Sequence, residues 1–265
     1  MTMPGKEFMD QAPLGYGAYL CVRATGPRVD SGRLTALCEK LGLGNEFEGR
    51  APKGESVAFL RRQGAVAAQI VDDDVLHSDG VVHAASKRQD VVDTFCADAV
   101  RLLEPARVRV LRGLIRPKNF TGAALNNWAY ARAVVQQPAA LMPNAFLVPM
   151  SKTAEWWSKD WMQQHTYFLP TYDHHGRMTS EGHALAAAEG IPCMLRRTYR
   201  CQAEPAPEGE YDFLTYFECG DADVPTFHKV CAALRDVARN PEWRFVREGP
   251  TWHGRRVSSA AELFA

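Results

Sequence analysis

The sequence predicts an α+β protein built from two similar halves. Three observations predict this class. The order strand, helix, strand, strand, helix, strand occurs in the first half and recurs in the second, the longer helices each carry one apolar stripe, and the strands are short and separated by turn residues. No close sequence repeat accompanies the recurring order. Two sheets, each with helices on one face, would either pack together or join into a barrel.

The first half, residues 1–115, is predicted to contain four strands and two helices. The first helix has leucines at helical spacing and ends before Gly42, and the second has Val91 and Phe95 on its inward stripe and ends before Pro105. A loop at Gln63-Gly64 separates the two middle strands. The predicted elements are strand 15–24, helix 31–41, strands 56–62 and 65–71, helix 90–103 and strand 107–115.

A loop-rich connecting segment, residues 116–145, precedes the second half, residues 146–265. The last long helix carries a stripe that includes Phe227 and Leu234. An irregular insert at 158–177 contains the pair His174 and His175, for which a turn at DHHG is the favoured interpretation over a zinc site. The predicted elements are strand 146–149, helix 179–189, strands 193–200 and 211–217, helix 224–239 and strand 243–247.

Composition excludes several functional classes. Lysine plus arginine equals aspartate plus glutamate at 31 each, so no basic field is available for nucleic acid or an acidic membrane surface. Seven cysteines form no CxxC pair, which is typical of reduced thiols in a cytoplasmic protein. The start of the chain lacks a basic segment followed by an apolar run, and no stretch reaches membrane-spanning length. We therefore expect a cytoplasmic protein that recognises its ligand locally.

The stretch 178–218 holds the candidate site. Thr179 or Ser180 can cap the predicted helix 179–189, Gly190 ends it, and only small side chains lie one turn from His183. A wide, flat ligand could therefore lie against the imidazole. The next strand would direct Arg196 to the same cavity as a fixed cation. A lone helical histidine is more often structural than a ligand, so this pair needs independent support.

Three stretches in the second half resemble the chlorite dismutase family. They are PMSKTAEWWS at 149–158, DFLTYFE at 212–218 and GPTWHG at 249–254. A shorter stretch, GLIRPKNFTG at 113–122, is similar to a family segment near the haem propionates. The resemblance covers about residues 105–257. It implies two ferredoxin-like halves that form a dimeric α+β barrel, a haem b cofactor and a homo-oligomer, commonly a pentamer.

The resemblance also implies roles for individual residues. In the family the proximal histidine precedes the distal residue by thirteen positions, which makes His183 the iron ligand and Arg196 the catalytic distal cation. His165 is the alternative iron ligand. Further residues that the resemblance places at the cofactor are Lys152, Trp156, Trp157 and Asn119. The family's glutamate near the proximal histidine aligns close to Arg239, with Asp236 the nearest acid, so we expect His183 to lack a carboxylate partner.

The implied activity is that of a haem-dependent oxidoreductase acting on a small oxidised substrate: chlorite, peroxide or an N–O compound. In chlorite dismutases the matching arginine holds released hypochlorite until the O–O bond forms. The alternatives are a haem carrier or sensor, a barrel without cofactor, coproheme decarboxylation and N–O dehydration. Coproheme decarboxylases use a tyrosine four residues before the matching lysine, where this chain has Val148. Aldoxime dehydratases place their iron histidine after the last helix, where this chain reads RNPEWRF without histidine.

Overall fold

The computed structural model describes residues 12–25, 31–42, 47–48, 51–52, 54–115 and 142–265. Asn119 lies outside these residues. The strands of the described part, in chain order, are β1 (Gly15–Arg23), β2 (Phe47–Glu48), β3 (Ala51–Pro52), β4 (Ser56–Val66), β5 (Gly80–Ser86), β6 (Arg107–Ile115), β7 (Asn144–Lys152), β8 (Thr171–Tyr172), β9 (Met178–Ser180), β10 (Met194–Arg200), β11 (Phe213–Cys219), β12 (Val246–Glu248) and β13 (Thr251–Val257).

Seven α-helices occur within the described ranges, and short 3₁₀ turns follow several of them. The helices are α1 (Ser31–Glu39), α2 (Asp73–Leu76), α3 (Gln89–Leu103), α4 (Ala154–Trp157), α5 (Trp161–Thr166), α6 (Gly182–Ala186) and α7 (Val224–Arg235). The 3₁₀ turns are Ala188–Gly190, Asp221–Asp223, Pro241–Phe245 and Ala260–Phe264. None of these described helices combines the length and the apolar character needed to cross a membrane.

The main sheet closes into an antiparallel barrel. Its strands run in the order β11-β10-β6-β1-β5-β4-β13-β7, and β7 also pairs with β11, which completes the ring; β12 adds a ninth strand to β7. The first half supplies the four consecutive strands β6-β1-β5-β4, and the second half supplies β13, β7, β11 and β10. Of the two arrangements left open by the sequence, the sheets are joined into a barrel, and the predicted α+β class is confirmed.

Three apolar clusters follow from the alternation of side chains along the strands. One fills the barrel interior and includes Tyr19, Leu111 and Trp252. A second lies between the outer face of the first half and helices α1 and α3. The third lies between the outer face of the second half and helices α6 and α7. The candidate site lies at this third cluster.

Two expectations for the first half are wrong, and one strand was missed. The predicted loop at Gln63-Gly64 and the predicted separate strand 65–71 are both replaced by the continuous strand β4, which ends at Val66 and whose pairing with β13 shifts register between His253 and Gly254. A glycine inside a strand often marks such an irregularity instead of a turn. Strand β5 was not predicted, because its sequence GVVHAAS is buried along its whole length and lacks the apolar-polar alternation of a half-exposed strand.

In the second half, the predicted strand 243–247 is wrong, since Pro241–Phe245 is a 3₁₀ turn followed by the short strand β12. The strand that closes this half is β13. Helix α7 ends at Arg235, four residues before the predicted end. The predicted helix 179–189 is shorter, and Thr179 and Ser180 do not cap it because both belong to strand β9.

The domain boundaries at 115 and 146 remain a prediction. Strand β6 ends at Ile115, and β7 begins at Asn144, two residues before the predicted start of the second half. All seven cysteines lie in the described residues as free thiols, and five of them are buried.

Candidate functional site

One wall of the site is the outer face of three neighbouring strands in the second half. Arg196 on β10 pairs in register with Phe217 on β11, and Phe217 pairs with Phe146 on β7. Phe146 and Phe217 belong to the apolar cluster beneath α6 and α7, whereas the alternating residue Tyr199 points into the barrel. The sheet therefore places Arg196 beside two phenylalanines, and strand alternation puts Arg200 of β10 and Lys152 of β7 further along the same face.

The opposite wall is α6, which carries His183. Its side chain is 12% exposed, and the ring of Phe168 lies 5.4 Å from the imidazole. The neighbouring Ala186 is buried in the same cluster as the two phenylalanines of the sheet, and Ala187 packs against that cluster. The small residues that the sequence places beside the imidazole thus face the strands.

A buried carboxylate holds the imidazole. Glu242, in the turn Pro241–Phe245, accepts a hydrogen bond from Nδ1 of His183 at 2.7 Å through Oε2. Its other oxygen, Oε1, forms an ion pair with Nζ of Lys152, and both of these side chains are almost completely buried. The expectation that His183 lacks a carboxylate partner is therefore wrong.

Burial and charge act in opposite directions on this buried pair. Burial alone would raise the pKa of Glu242, but the charge of Lys152 and the hydrogen bond from His183 outweigh it, so the pKa lies well below its usual range. Burial lowers the pKa of Lys152, and Glu242 opposes that shift. Glu242 is consequently a carboxylate at neutral pH and a strong acceptor for the imidazole N–H.

Arg196 reaches the other nitrogen of the same imidazole. Its Nη1 lies 3.2 Å from Nε2 of His183. The residue retains access to solvent, yet surrounding protein removes much of the hydration of the guanidinium and lowers its pKa, while Glu242 opposes the shift. The guanidinium thus contacts His183 while the residue stays exposed to solvent. The structure thus brings together the two residues that the sequence singled out.

These contacts define the tautomer of His183. Arginine can only donate hydrogen bonds and an ionised carboxylate can only accept them, so Nδ1 carries the proton and Nε2 presents its lone pair. A neutral imidazole whose second nitrogen donates to a carboxylate, a backbone carbonyl or a water is the usual protein ligand of haem iron. The donor set therefore fits haem iron, but Nη1 and Nε2 lie 3.2 Å apart, so a porphyrin could enter between the two side chains only if Arg196 moved away. Nε2 has only one lone pair, so iron binding at this atom would replace the hydrogen bond from Arg196.

The two tryptophans occupy different environments. Trp156 is buried, lies under Nζ of Lys152 at 4.1 Å and packs against Tyr167 and Phe245. Trp157 stacks on Phe213 with ring planes 9° apart. Lys152 contacts His183 only through Glu242 among the interactions of the described residues.

Asp212 links the end of β7, Trp157 and the loop before β11 through hydrogen bonds. Its carboxylate accepts hydrogen bonds from the backbone N–H of Lys152 at 2.6 Å, from Nε1 of Trp157 at 3.3 Å and from the backbone N–H of Ala206 at 2.6 Å. The residue is buried. It therefore fixes the end of β7, the tryptophan after it and the loop that leads into β11.

His165, the alternative ligand, lies elsewhere. It is on α5, its ring packs at 6.5 Å from Trp161, and desolvation lowers its pKa. No contact within the described residues links it to Arg196 or Glu242. The DHHG turn is confirmed, because Oδ1 of Asp173 accepts the backbone N–H groups of His175 and Arg177. Groups of three or more metal-ligating side chains are absent from the described ranges.

Sequence reasoning missed Glu242 and Asp212 as site residues. The one local clue to Glu242 is its place between a proline and a tryptophan in NPEW. Its partner His183 lies 59 positions away, so no spacing rule links the two. Asp212 stands at the start of DFLTYFE, the stretch that carries part of the family resemblance.

Solved structures of chlorite dismutase share this fold. The enzyme from Candidatus Nitrospira defluvii with an arginine replaced by lysine aligns with a TM-score of 0.68 and 17% identity over 98% of both chains. A tryptophan-to-phenylalanine variant in complex with cyanide aligns with a TM-score of 0.68 and 18% identity over 99% of this chain and 98% of that chain. The enzyme in complex with imidazole gives 0.68 and 17% over 98% of both. No protein-family model and no curated protein matches the chain.

Identity below one fifth combined with nearly complete coverage of both chains indicates a shared architecture whose sequence has diverged. The resemblance found in the second half thus extends, at the level of fold, to the first half as well. The chain has the chlorite dismutase-like fold, a dimeric α+β barrel, in a divergent form.

Proposed function

We propose that this protein is a divergent member of the chlorite dismutase-like family that binds haem b through His183 and acts as an oxidoreductase on a small oxidised substrate. The observation that carries the proposal is the arrangement of His183, with Nδ1 bonded to Glu242 and Nε2 directed at the guanidinium of Arg196. A bound haem would be held by His183 and would supply a redox-active iron.

In this proposal Glu242 sets the donor strength of His183. A carboxylate that accepts a hydrogen bond from Nδ1 fixes the orientation of the imidazole and raises the basicity of Nε2. Lys152 acts through Glu242, because its ammonium group compensates the buried negative charge. Trp156 covers that ammonium group with its ring and keeps water from the pair.

Arg196 is the proposed catalytic residue. If Nε2 held the haem iron, it could no longer accept the hydrogen bond from Arg196, and the guanidinium would be available to substrate. Its charge is permanent and its N–H groups form a fork, so it can hold a small oxyanion and stabilise the negative charge on a departing oxygen. Chlorite, peroxide and N–O compounds all present such an oxygen.

One feature disfavours decarboxylation by the family's route. The position at which coproheme decarboxylases carry a tyrosine is Val148, which is buried in the apolar cluster of this face and has no phenol to oxidise. We also propose, from the same resemblance, that the protein is a homo-oligomer.

Haem reconstitution tests the proposal. The purified protein should develop a Soret band at one equivalent of haem, and cyanide should shift that band. Arg196→Gln should keep the Soret band but lower kcat/KM for the best of chlorite, hydrogen peroxide and hydroxylamine by about 10²- to 10³-fold, because one charged oxyanion donor is lost. Arg244→Gln, an exposed arginine, is the matched control. Haem binding with turnover that is equal in both variants would assign the protein to the haem carriers instead.

A further inference from the structure

The helix that carries His183 cannot cap itself. Helix α6 spans only the five residues Gly182–Ala186, and a helix leaves its first four backbone N–H groups without internal acceptors. Among the residues that the structure describes, no side chain caps its N-terminus. The position of the imidazole therefore depends on acceptors that other segments supply.

The first two N–H groups are bound by one carbonyl from the segment after α7. The backbone N–H groups of Glu181 and Gly182 donate to the carbonyl oxygen of Arg239 at 2.9 and 3.0 Å. The side chains of the same pair form two further bonds, from Nε and Nη2 of Arg239 to the carboxylate of Glu181, at 3.0 and 2.8 Å. The start of α6 is thus bound to the segment after α7 by backbone and side-chain hydrogen bonds.

The next two N–H groups are bound by the insert, residues 158–177. The backbone N–H of His183 donates to the carbonyl of Tyr167 at 3.1 Å, and that of Ala184 donates to the carbonyl of Phe168 at 3.3 Å. Gly182 has φ +66°, and a Cβ at this residue would lie 2.4 Å from the carbonyl oxygen of Leu169. The insert and the helix start are therefore in backbone contact that leaves no room for a side chain.

The insert is itself held in place. Helix α5 begins with a capping box in which Asp160 and Gln163 bind each other's backbone N–H groups. Its Gln164 donates to the carbonyl of Trp156, and Tyr167 packs on Phe245 at 5.2 Å. Trp156 and Phe245 border the residues Lys152 and Glu242 that bind the imidazole. The insert thus connects the helix start to the same corner that holds Nδ1.

We infer that the insert is a positioning element for the iron-binding side of the site, and that the carbonyl groups of Tyr167 and Phe168 set where Nε2 of His183 lies. This inference rests on the proposed haem function for its consequence, but the capping itself does not. The insert contacts the backbone at His183, the proposed iron ligand. It therefore acts on the position of this histidine and not on the substrate.

Two glycines provide a matched test. Gly182 and Gly176 both have positive φ, at +66° and +75°, so alanine carries the same backbone strain at each; a Cβ at Gly176 meets nothing within 4 Å. Gly182→Ala should speed amide hydrogen exchange at residues 183 and 184 of the haem-free protein by about tenfold or more, and Gly176→Ala should leave it within about twofold. In the ferrous haem-loaded protein, only Gly182→Ala should shift the iron–imidazole stretching band.

Asp160→Ala is the second variant, because it removes the capping box of α5 and leaves α6 unchanged in sequence. It should speed exchange at residues 183 and 184 in the same direction. Unchanged exchange in both Gly182→Ala and Asp160→Ala overturns the inference, as does an equal increase in Gly176→Ala. If the parent protein fails to take up haem, the exchange measurement still decides whether the insert caps α6, and the proposed haem function fails by itself.

Discussion

Glu242 is the residue on which the geometry of the site depends most. It bonds His183 with one oxygen and Lys152 with the other, and it is 6% exposed. A buried ion pair adds little net stability, but removal of one partner leaves the other charge buried without compensation. The carboxylate therefore holds two buried side chains, and the loss of this partner from either would cost free energy.

Neutralising this carboxylate should destabilise the fold. Glu242→Gln keeps the shape of the side chain but leaves the ammonium group of Lys152 buried without a counter-charge, so we expect the free energy of unfolding to fall by about 3–5 kcal/mol. Urea denaturation of the haem-free protein at pH 7 measures this change.

The matched control is Glu155→Gln. Glu155 also pairs with a lysine, Lys159, but it is 68% exposed. An exposed pair of this kind contributes about 0.5 kcal/mol or less. Equal effects of the two substitutions would show that the buried pair does not hold the site.

The sequence predicted that His183 and Arg196 lie together, and the structure places them in contact. Strand alternation indicated the direction of Arg196, and the family resemblance supplied the interval of thirteen positions between the two residues. Glu242 could not be predicted, because it lies in a turn 59 positions from His183 and no periodic sequence pattern links the two residues. The nearest acid in sequence terms, Asp236, instead caps local backbone N–H groups at the end of α7.

Among the elements, the corner between β7, α4 and β11 depends on Asp212. Three N–H donors from different segments converge on its carboxylate, including the N–H groups of Lys152 and Trp157. Because these donors all point at one buried acceptor, the corner should move as a unit. The start of β11 thereby controls both the lysine below Glu242 and the neighbouring tryptophan.

Asp212→Asn should loosen this corner. An amide turns an NH₂ group toward N–H donors, so at least one buried donor loses its acceptor, and we expect a loss of about 1–3 kcal/mol in the free energy of unfolding. The near-ultraviolet circular dichroism of the tryptophans should weaken as well.

Asp173→Asn is the control at an exposed turn. Asp173 also accepts two backbone N–H groups, but the donors belong to residues that solvent reaches. Its loss should be smaller, and the tryptophan signal should stay unchanged. A larger effect at Asp173 than at Asp212 would contradict the role assigned to the corner.

Element boundaries show why prediction from local sequence was incomplete. Strand β5 is buried on both faces, so its pattern could not be told from a core segment of another kind. The start of α6 was placed too early because Thr179 and Ser180 resemble a cap, whereas the true acceptors are carbonyl groups of Arg239, Tyr167 and Phe168. Backbone acceptors carry no sequence signature.

Across the whole molecule, the barrel interior encloses a polar cluster around His83. The imidazole is 1% exposed, its Nε2 lies 3.0 Å from the hydroxyl of Tyr199, and its ring stacks on Tyr19 at 4.4 Å. Burial and the charges of two arginines lower its pKa well below the usual value. The titratable groups around it are Tyr19, Tyr199, Tyr216, Arg197, Arg256 and, beside the arginines, Glu218.

This cluster should make the fold sensitive to acid. The unfolded chain binds a proton at His83 as the pH falls through about 6.5, whereas the folded barrel does not, so stability is complete above that pH and is lost below it with a slope of up to about 1.4 kcal/mol per pH unit. His83→Gln should remove this contribution. Urea denaturation between pH 8 and pH 5 measures the slopes of parent and variant.

The control for this measurement is His174→Gln. His174 is exposed in the hairpin turn of the insert, so its substitution should leave the slope as in the parent. Equal slopes for the parent and His83→Gln would contradict a neutral, buried imidazole inside the closed barrel.

The α+β class was predictable from the recurring order of elements. Two halves with the same order of strands and helices have few ways to bury the apolar stripes of their helices. Closure of the ring was not predictable, since the pairing of β10 with β6 rests on one residue pair, Arg200 and Leu114. Long-range pairing of this kind depends on both halves at once.

A haem titration of three proteins, followed by absorbance, tests most directly whether His183 binds the haem: the parent, His183→Gln and His165→Gln. We expect the parent and His165→Gln to bind one equivalent of haem with the same Soret maximum, and His183→Gln to lose that band or to bind haem at least about tenfold more weakly. An unchanged spectrum and affinity in His183→Gln, or loss of the band in His165→Gln alone, would contradict it.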